Sequence, residues 1–526
     1  MKFKKFISVM LITVLLVCTI GCSKNANNTE SDNSLSETKK ANKESLTLLY
    51  SSSDSFNPYT AETPINKQIC QLLFEPLVTL DNNFNPVCTL AQTVTADGNK
   101  CTVTLNNAIF SDGSNFSADD VIYSYNIAKN SQSIYASKLY EVTSVTAIDS
   151  KTVVFKLSKI DPFFENLLTF PIIKSGSEKI TDSDGIVLPP IGCGRYKLNN
   201  TYDKLVANEN AFRKQGNIKT INLINSPDIE SVTHYAQVGA ADIYYSDISD
   251  GNILRMSGKK IKINLNTLIY IGINRNNVLL SNKLLRQALS SGIDRKEICH
   301  DAYFDNAVAA NGFFHPDWNP TSSIQKLQIT TDKEITIENL SKIGYNIKND
   351  STNNDNKLKN VLNFSLLVNS ENRLKVTAAA CVARELSQFG IKVNVVEKPY
   401  QQYIDDLNNG NFQLFIGEIK ITDNMDFSSM LLKGGSAAYG FADYTQIAEA
   451  QEPATEKTVT SSDLINGFYS GNNSITDVAF ILQDEMPFVP ICFRTGVLFY
   501  NDNIENVSKS SETDIYSSID SYLYIK

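Results

Sequence analysis

The sequence predicts an α/β protein whose second half contains a βαβ unit. A strand-like apolar run at 361–368 precedes a helix-like run at 373–389, which has one apolar face and a stop at Gly390. The alternating sequence IKVNVVE follows at 391–397. A strand, a helix and a strand within about 35 residues indicate two parallel strands joined by a crossover helix. A further strand is predicted over 412–419.

The first half of the chain alternates predicted strands with two capped helices. Thr63-Pro64 indicates the start of a helix, and Pro76 indicates its end. Ser117 followed by Asp120 has the spacing of a capping box, with Asp in the usual place of Glu. Strands are predicted over 46–50, 152–157, 218–224, 241–245 and within 261–273.

Two further segments of the second half show interpretable patterns. Leu284, Leu285, Ala288 and Leu289 share one face of a predicted helix. The segment 321–359 is polar, and we expect it to contain one short helix and a disordered loop.

The first 22 residues have the three zones of a secretory signal. Lysines precede an almost wholly apolar run at 6–17, and small residues lead to Cys22. A transmembrane helix is disfavoured, because the run is shorter than the about 20 residues needed to cross a bilayer. The sequence TIGC at 19–22 resembles the lipobox of bacterial lipoproteins. The resemblance implies that residues 1–21 are a signal peptide and that Cys22 becomes the lipidated first residue.

The residues after Cys22 predict a flexible tether. Between residues 23 and 44 only Ala26, Leu35 and Ala41 are apolar. Such a segment buries too little apolar surface to offset the entropy that ordering costs. We therefore expect a lipidated cysteine and a disordered tether over 22–45.

Charge and cysteine usage exclude several classes of protein. The formal net charge of −9 argues against nucleic-acid binding, which requires a basic face. Of nine cysteines, seven remain after the signal peptide and the lipidated residue are removed, and no CxxC motif occurs among them. Cys88 and Cys101 flank a turn and could pair; two buried free thiols are the alternative. With three scattered histidines, we expect neither a metal site nor a cofactor.

Five segments carry a resemblance to a known family. They are LLFEPLVTLD (72–81), FSDGSNFSADDVIYS (110–124), PIGCGRYKL (190–198), LLRQALSSGIDRKEI (284–298) and QFGIKVNVVEKPYQQYIDDLNNGNFQLFIGE (388–418). Together they resemble the extracellular solute-binding proteins of family 5, the peptide- and nickel-binding components of ABC importers. The glycine segment of this family usually reads Gly-Thr-Gly-Pro-Tyr, whereas Cys193 and Arg195 stand here in place of Thr and Pro.

The resemblance implies a periplasmic-binding-protein-like bilobal fold of class II (cluster C), with an extra domain on the first lobe. Lobe I is expected to comprise 46–80, 186–264 and 486–526, and the extra domain 81–185. Lobe II is expected to comprise 265–485. Ligand would be trapped when the lobes close about a hinge.

The resemblance also implies a function. We expect a substrate-binding lipoprotein at the extracytoplasmic face of a bacterial membrane, which captures a small solute, with an oligopeptide favoured. Its partners would be an ABC permease and, indirectly, the ATPase, and we expect a monomer. A peptide-sensing lipoprotein without a transport role is the alternative. The nickel-binding branch is disfavoured, because the sequence has no HxH pair.

Binding residues follow from alignment with the family, in which the peptide adds as a strand between the lobes. This alignment points to Glu62, Thr63 and Pro64 on the first lobe. On the second lobe it points to Gly417, Glu418, Ile419 and Lys420. Tyr59, Tyr439 and Tyr444 are further candidates to line the cleft, and Trp318 lies in a segment that approaches the lobe interface in the family.

Lys420 is the departure with the largest consequence. Peptide binders often place an aspartate there for the amino terminus of the ligand, and two positive charges at about 4 Å cost about 4 kcal/mol at an effective dielectric of about 20. Three interpretations stay open. Glu418, Asp423 or Asp426 could hold an amine, Lys420 could bind a ligand carboxylate, or Lys420 could pair with Asp423 and contact no ligand.

An enzymatic function has little support in the sequence. The motifs of serine hydrolases, zinc proteases and P-loop proteins are absent from it. Ser257-Gly-Lys-Lys260, Ser470-Gly-Asn472 and Arg494-Thr-Gly496 resemble the short motifs of penicillin-interacting serine enzymes. Their spacing is unusual for those enzymes, so we expect a binding protein and keep a serine acyl-enzyme hydrolase as a remote alternative.

Overall fold

A computed structural model describes residues 42–130, 134–251, 256–345, 362–440, 445–448 and 457–525. The signal peptide, Cys22, most of the tether, Tyr444 and the expected loop before residue 362 lie outside these residues.

The described residues form both strands and helices. The strands are β1 (Asn42–Lys43), β2 (Ser45–Tyr50), β3 (Val78–Leu80), β4 (Pro86–Cys88), β5 (Ala91–Asp97), β6 (Lys100–Leu105), β7 (Val142–Asp149), β8 (Thr152–Leu157), β9 (Tyr196–Leu198), β10 (Lys204–Ala207), β11 (Thr220–Asn225), β12 (Ile243–Ser246), β13 (Lys259–Ile273), β14 (Ala307–Ala309), β15 (Leu362–Asn369), β16 (Ile391–Lys398), β17 (Leu414–Lys420), β18 (Thr445–Ala448), β19 (Lys457–Thr460), β20 (Val489–Tyr500), β21 (Ile504–Glu505) and β22 (Leu523–Ile525). The helices are α1 (Pro64–Leu73), α2 (Ala118–Asn130), α3 (Tyr135–Lys138), α4 (Ile229–Gln237), α5 (Lys283–Ser291), α6 (Arg295–Tyr303), α7 (Lys333–Lys342), α8 (Arg373–Ser387), α9 (Tyr400–Asn408), α10 (Ser428–Leu431), α11 (Ser461–Tyr469) and α12 (Ile475–Glu485).

The predicted βαβ unit is confirmed in the largest sheet. Strands β15 and β16 pair in parallel from Leu362↔Ile391 to Asn369↔Lys398, and α8 connects them. The sheet has the strand order β12-β20-β13-β17-β15-β16, with β14 on the side of β20. Gly390, with φ +74°, ends the helical segment as expected, because glycine adopts the left-handed backbone conformation without steric strain.

Two large buried clusters form the interior, which we name the first core and the second core. The first core contains residues of β2, the sheet β5-β6-β8-β7 and the C-terminal segment. The second core contains α5, α6, α8 and the central strands of the largest sheet. The sheet β5-β6-β8-β7 lies within 91–157, so the expected extra domain shares the first core.

Strands β13 and β20 run through both cores. Ile263 and Leu265 of β13 belong to the first core, whereas Leu268 begins the part of the strand in the second core. In β20, Phe493 belongs to the second core and Leu498 to the first core. A register shift falls between Asn264 and Leu268, at the change from one core to the other. An irregular position there lets the strand bend, since a bulge locally disrupts the ladder.

Helix caps follow the sequence signals. The Thr63 side chain accepts a hydrogen bond from the Asn66 N–H at the start of α1. The Asp120 carboxylate accepts from the Ser117 N–H at 3.0 Å, which is one half of the predicted capping box. The short helix expected within 321–359 is α7.

Two local predictions are wrong. Residues 42 and 43, expected at the end of the tether, form β1 and pair with β22, because the C-terminal strand offers main-chain partners that sequence patterns do not show. Cys88 and Cys101 do not pair and are not both buried. Cys88 lies exposed on the short strand β4, whereas Cys101 faces the interior from β6.

Candidate ligand-binding cleft

A cavity of about 890 Å³ brings together segments that are distant in the sequence. One wall is the loop before α1 and α1 itself, and another is the residues that follow β12. Tyr135, Lys138 and Thr169 line it from the segment expected to form the extra domain, and Glu512 lines it from the C-terminal segment. Lys420, the last residue of β17, lines it from the second core. Both cores therefore contribute side chains to a single cleft.

Strand β17 has one open edge near this cavity. The Ile421 N–H donates to the Asn266 carbonyl oxygen of β13 at 2.8 Å. The main-chain N–H and C=O groups of successive residues in a strand point alternately to its two edges. Those of Gly417 and Ile419 therefore also face β13, whereas those of Glu418 and Lys420 face the other edge.

On that other edge, strand pairing stops early. Strand β15 pairs with β17 only at Leu414 and Phe415. The Ile416 carbonyl oxygen accepts from the Tyr403 hydroxyl at 2.9 Å. Among the described residues, the main-chain groups of Glu418 and Lys420 have no hydrogen-bond partner on this edge. An edge with unpaired donors and acceptors can accept a further strand.

The Lys420 ammonium forms an ion pair with the Glu512 carboxylate. The two side chains are 46% and 31% exposed. Burial lowers the pKa of Lys420, but the Glu512 and Asp423 carboxylates outweigh it and raise that pKa overall. Of the three interpretations left open, the pairing of Lys420 with Asp423 is not the one observed, because Asp423 bonds instead to Lys138 at 2.5 Å.

The carboxylates considered for a ligand amine already have cationic neighbours. Glu418 lies 3.0 Å from Lys375 and 3.3 Å from Arg494. Asp426 accepts from the Ser428 N–H and lies 3.6 Å from Lys159. With Asp423 held by Lys138, an incoming amine would have to displace a side chain of the protein at each of them.

Some of the first-lobe candidates line the cavity, whereas Thr63 stabilises the start of α1. Tyr59 and Glu62 line the cavity. The Tyr59 hydroxyl donates to the Pro171 carbonyl oxygen, and burial raises the pKa of Tyr59 well above its usual value. Thr63 does not line the cavity; it caps α1, and its hydroxyl donates to Asp54 at 2.5 Å. Burial raises the pKa of Asp54, but the hydrogen bonds from Thr63 and Glu62 lower it overall.

Like Thr63, Glu418 does not line the cavity, and four more candidates also lie away from its lining. Gly417 packs against Tyr270, where a Cβ would fall 2.4 Å from the ring. Ile419 is half-buried next to it, and Tyr439 packs 5.9 Å from the Phe415 ring. Trp318 is 2% exposed and packs against Phe163 at 5.2 Å between ring centroids. Because Phe163 lies in the segment expected to form the extra domain, Trp318 marks a contact between that segment and the second core.

The sequence patterns do not reveal the charged residues at the base of the cavity. Arg213 bonds to Glu75 at 2.7 Å and also to Asp514. Arg195 bonds to the same Asp514 carboxylate at 2.8 Å. Burial raises the pKa of Asp514, but Arg195 and Arg213 outweigh it and lower the pKa overall. Burial raises the pKa of Glu75, and the two arginines only partly offset the rise.

The glycine segment explains how Arg195 reaches the base of the cavity. The Gly194 N–H donates to the Leu73 carbonyl oxygen at 2.9 Å, and a Cβ at Gly194 would fall 2.2 Å from the Leu73 carbonyl carbon. Gly192 has an equally close approach, 2.2 Å to the Leu73 oxygen. The two glycines let the chain pass against the end of α1. The unusual Arg195 in this segment was the one sequence signal that pointed to a buried charge.

The pieces of the possible hydrolase motifs serve structural roles. Ser470 lies just after α11, where the Asn472 side chain donates to its hydroxyl at 2.9 Å. Arg494 lies in β20 and donates to the Asp247 carbonyl oxygen at 2.8 Å. In the part of the chain that the structure describes, no group of three or more His, Cys, Asp and Glu side chains is placed to hold a metal ion.

Comparison with known proteins identifies the family. The family model of bacterial extracellular solute-binding proteins, family 5 Middle, matches residues 83–440. The chain belongs to this family. It is therefore a solute-binding protein with an extracytoplasmic role and not an enzyme, so the serine hydrolase alternative is wrong. Within the described ranges, every helix is too short or too polar to cross a membrane.

Individual relatives are similar at low identity over most of their length. The oligopeptide-binding protein AppA of Bacillus subtilis is 24% identical over 431 residues, which cover 77% of this chain and 79% of AppA. The structure of that AppA in complex with a nonapeptide matches with a TM-score of 0.57 and 19% identity, and covers 92% of this chain and 100% of that one. A putative peptide-binding protein AppA from Clostridium difficile matches with a TM-score of 0.67, 17% identity and the same coverage. These structures confirm the bilobal α/β fold.

Proposed function

We propose that this solute-binding protein captures an oligopeptide between its lobes and delivers it to an ABC permease. The open edge of β17 at Glu418 and Lys420 carries the proposal. A peptide that adds there gains main-chain hydrogen bonds at about 0.5–1.5 kcal/mol each, whatever its side chains. The names of the AppA relatives support a peptide rather than another solute.

The cavity beside this edge has a suitable size. Its volume of about 890 Å³ lies in the upper part of the range of roughly 300–1,000 Å³ for small-molecule sites. Tyr59 and Glu62 would contact ligand side chains from the first lobe. Gly417, Glu418 and Ile419 would position the edge, and Lys420 would contact the ligand directly.

We also propose the domain boundaries given by the family alignment. Lobe I comprises 46–80, 186–264 and 486–526, the extra domain 81–185, and lobe II 265–485. The lobes would hinge where β13 and β20 pass from one core to the other, because the register of β13 is already interrupted there.

Trp318 offers a direct test of binding and closure. It is the only tryptophan of the chain and packs against Phe163 across the contact between the extra domain and the second core. A degenerate pool of short peptides, added to the purified protein, should change Trp318 emission and yield a peptide adduct in native mass spectrometry. If neither signal appears with the pool, the peptide function is excluded.

The proposed anchor has a separate test. Cys22 would carry the lipid, and residues after it would tether the body near the permease, where tethering raises the effective concentration. Cys22→Ala should move the protein from the membrane fraction to the medium or the periplasm. Mass spectrometry of the mature N-terminus should show acyl chains on Cys22, and a monomer is expected by light scattering.

A further inference from the structure

We propose that Lys420 binds a carboxylate of the ligand and that Glu512 holds the same ammonium until the ligand arrives. This inference rests on the proposed function and specifies its ligand class. The cleft would select peptides that bring a carboxylate, rather than a free α-ammonium, to the end of the open edge. Glu512 is then a specificity-determining residue.

Lys420 is the exchangeable cation at the end of the β17 edge, whereas Lys67, an exposed lysine that also lines the cavity, lies on α1. Lys138 is bonded to Asp423 with side-chain exposures of only 12% and 4%. Arg213 is bonded to both Glu75 and Asp514, whose side chains are almost fully buried. Lys420 and Glu512 are exposed by about a third to a half, and solvent-exposed ion pairs contribute little. A ligand carboxylate can therefore replace Glu512 at small cost.

Lys420 lies where a ligand strand added to the open edge of β17 would end. The open edge of β17 ends at Lys420, whose side chain lines the cavity. A strand added to Glu418 and Lys420 must place a terminus or a side chain beside the Lys420 ammonium. An ammonium there meets a like charge, whereas a carboxylate can form a charge-assisted hydrogen bond.

The other acidic groups that face Lys420 do not reverse this preference. Asp423 is bonded to Lys138. The Asp247 carboxylate lies 3.9 Å from Arg494, which also pairs with Glu418. Each of these carboxylates therefore has a cation other than Lys420. Glu512 has Lys420 as its ion-pair partner among the described residues.

Glu512 can release Lys420 without moving the main chain. Its carbonyl oxygen accepts from the Gln71 side chain at 3.0 Å, and the next residue, Thr513, bonds to the Leu80 N–H at 2.7 Å. The backbone is thus fixed at the cavity wall, and only the partly exposed Glu512 side chain has to turn toward solvent.

The test uses the same degenerate peptide pool in four forms, with the N-terminus free or acetylated and the C-terminus free or amidated. The full-length protein should bind the free-acid forms about tenfold more tightly than the amidated forms, the value of one hydrogen bond to a charged group. Acetylation should leave affinity unchanged or raise it. Affinity is read from Trp318 emission and checked by calorimetry.

Variants assign the effect to the pair. Lys420→Gln should abolish the preference for a free acid, and Lys420→Arg should retain it. Glu512→Gln should tighten binding of the free-acid forms severalfold and leave the amidated forms unchanged. Lys283 and Asp484 form a matched control pair at 2.9 Å, with exposures of 45% and 29% away from this cavity. Lys283→Gln and Asp484→Asn should change nothing.

The possible failures are distinguishable. If no form of the pool binds, the proposed peptide function fails. If the pool binds but all forms bind equally, or the free-amine forms bind best, peptide binding stands and the carboxylate inference is overturned. Weaker binding of the free-acid forms to Glu512→Gln would also overturn it, because Glu512 would then belong to the ligand site. Thermal melting checks that each variant is folded.

Discussion

Replacing Asp514 by asparagine should destabilise the protein by about 3 kcal/mol. Asp514 is 3% exposed and bonds to Arg195 and Arg213. Asparagine keeps the shape of the side chain but removes its charge, so the buried Arg195 and the partly buried Arg213 face Glu75 as the remaining carboxylate of the cluster. Breaking a buried ion pair from one side costs about 3–5 kcal/mol, and the charge of Glu75 places this variant at the lower end.

The size of the folded unit converts this energy into a temperature. Residues Asn42–Lys526 form one compact unit. At about 2.1 cal/mol/K per residue, the total unfolding entropy of a unit of this length is about 1 kcal/mol/K, so each kcal/mol of lost stability lowers the melting temperature by about 1 °C. The melting temperature of Asp514→Asn should therefore fall by about 3 °C in differential scanning calorimetry.

The pH dependence supplies a second measurement of the same contact. The pKa of Asp514 is lowered in the folded protein, so its contribution is present above the pKa of the unfolded state and is lost as the pH falls through the lowered folded value. The difference between wild type and variant should shrink in acid. The exposed Asp520→Asn is the control and should melt like wild type. A shift for Asp514→Asn no larger than that of the control would refute the reasoning.

Three further outcomes are expected. Gly194→Ala should unfold or severely destabilise the protein, because its Cβ would lie 2.2 Å from main chain, whereas Gly312→Ala, with open space around the Cβ, should be tolerated; soluble yield and thermal melting check both. Burial raises the pKa of Asp161 to about 6, so its ionisation costs stability as the pH rises from about 4 toward 6, and Asp161→Asn should remove this loss in melts across that range. Phe163→Ala should expose Trp318 and shift its emission to the red, and an unchanged spectrum would contradict their packing.

The fold was predictable where a local pattern determines it. The βαβ unit at 362–398 follows from periodicity and from the glycine stop after α8. The caps at Thr63 and Ser117 depend on groups three residues apart, which the sequence displays directly. Strand β1 was missed because its partner, β22, lies at the opposite end of the chain.

The electrostatics of the candidate cleft was less predictable. Lys420 and Asp423 are three residues apart, and proximity in sequence suggested their pairing. Each instead forms an ion pair with a distant residue. Glu512 is 92 positions from Lys420, and Lys138 is 285 positions from Asp423. Ion pairs across a cleft depend on the tertiary fold, and neither periodicity nor spacing encodes them.

The pairing of β1 with β22 places both ends of the folded body on one small sheet. In the proposed lipid-anchored protein, the tether would join the body next to β22. An affinity handle fused after residue 526 would then sit beside the junction of tether and body, and any pull through the tether would act first on the pairing of β1 with β22. Labels and immobilisation points for this protein therefore belong on the opposite side of the body.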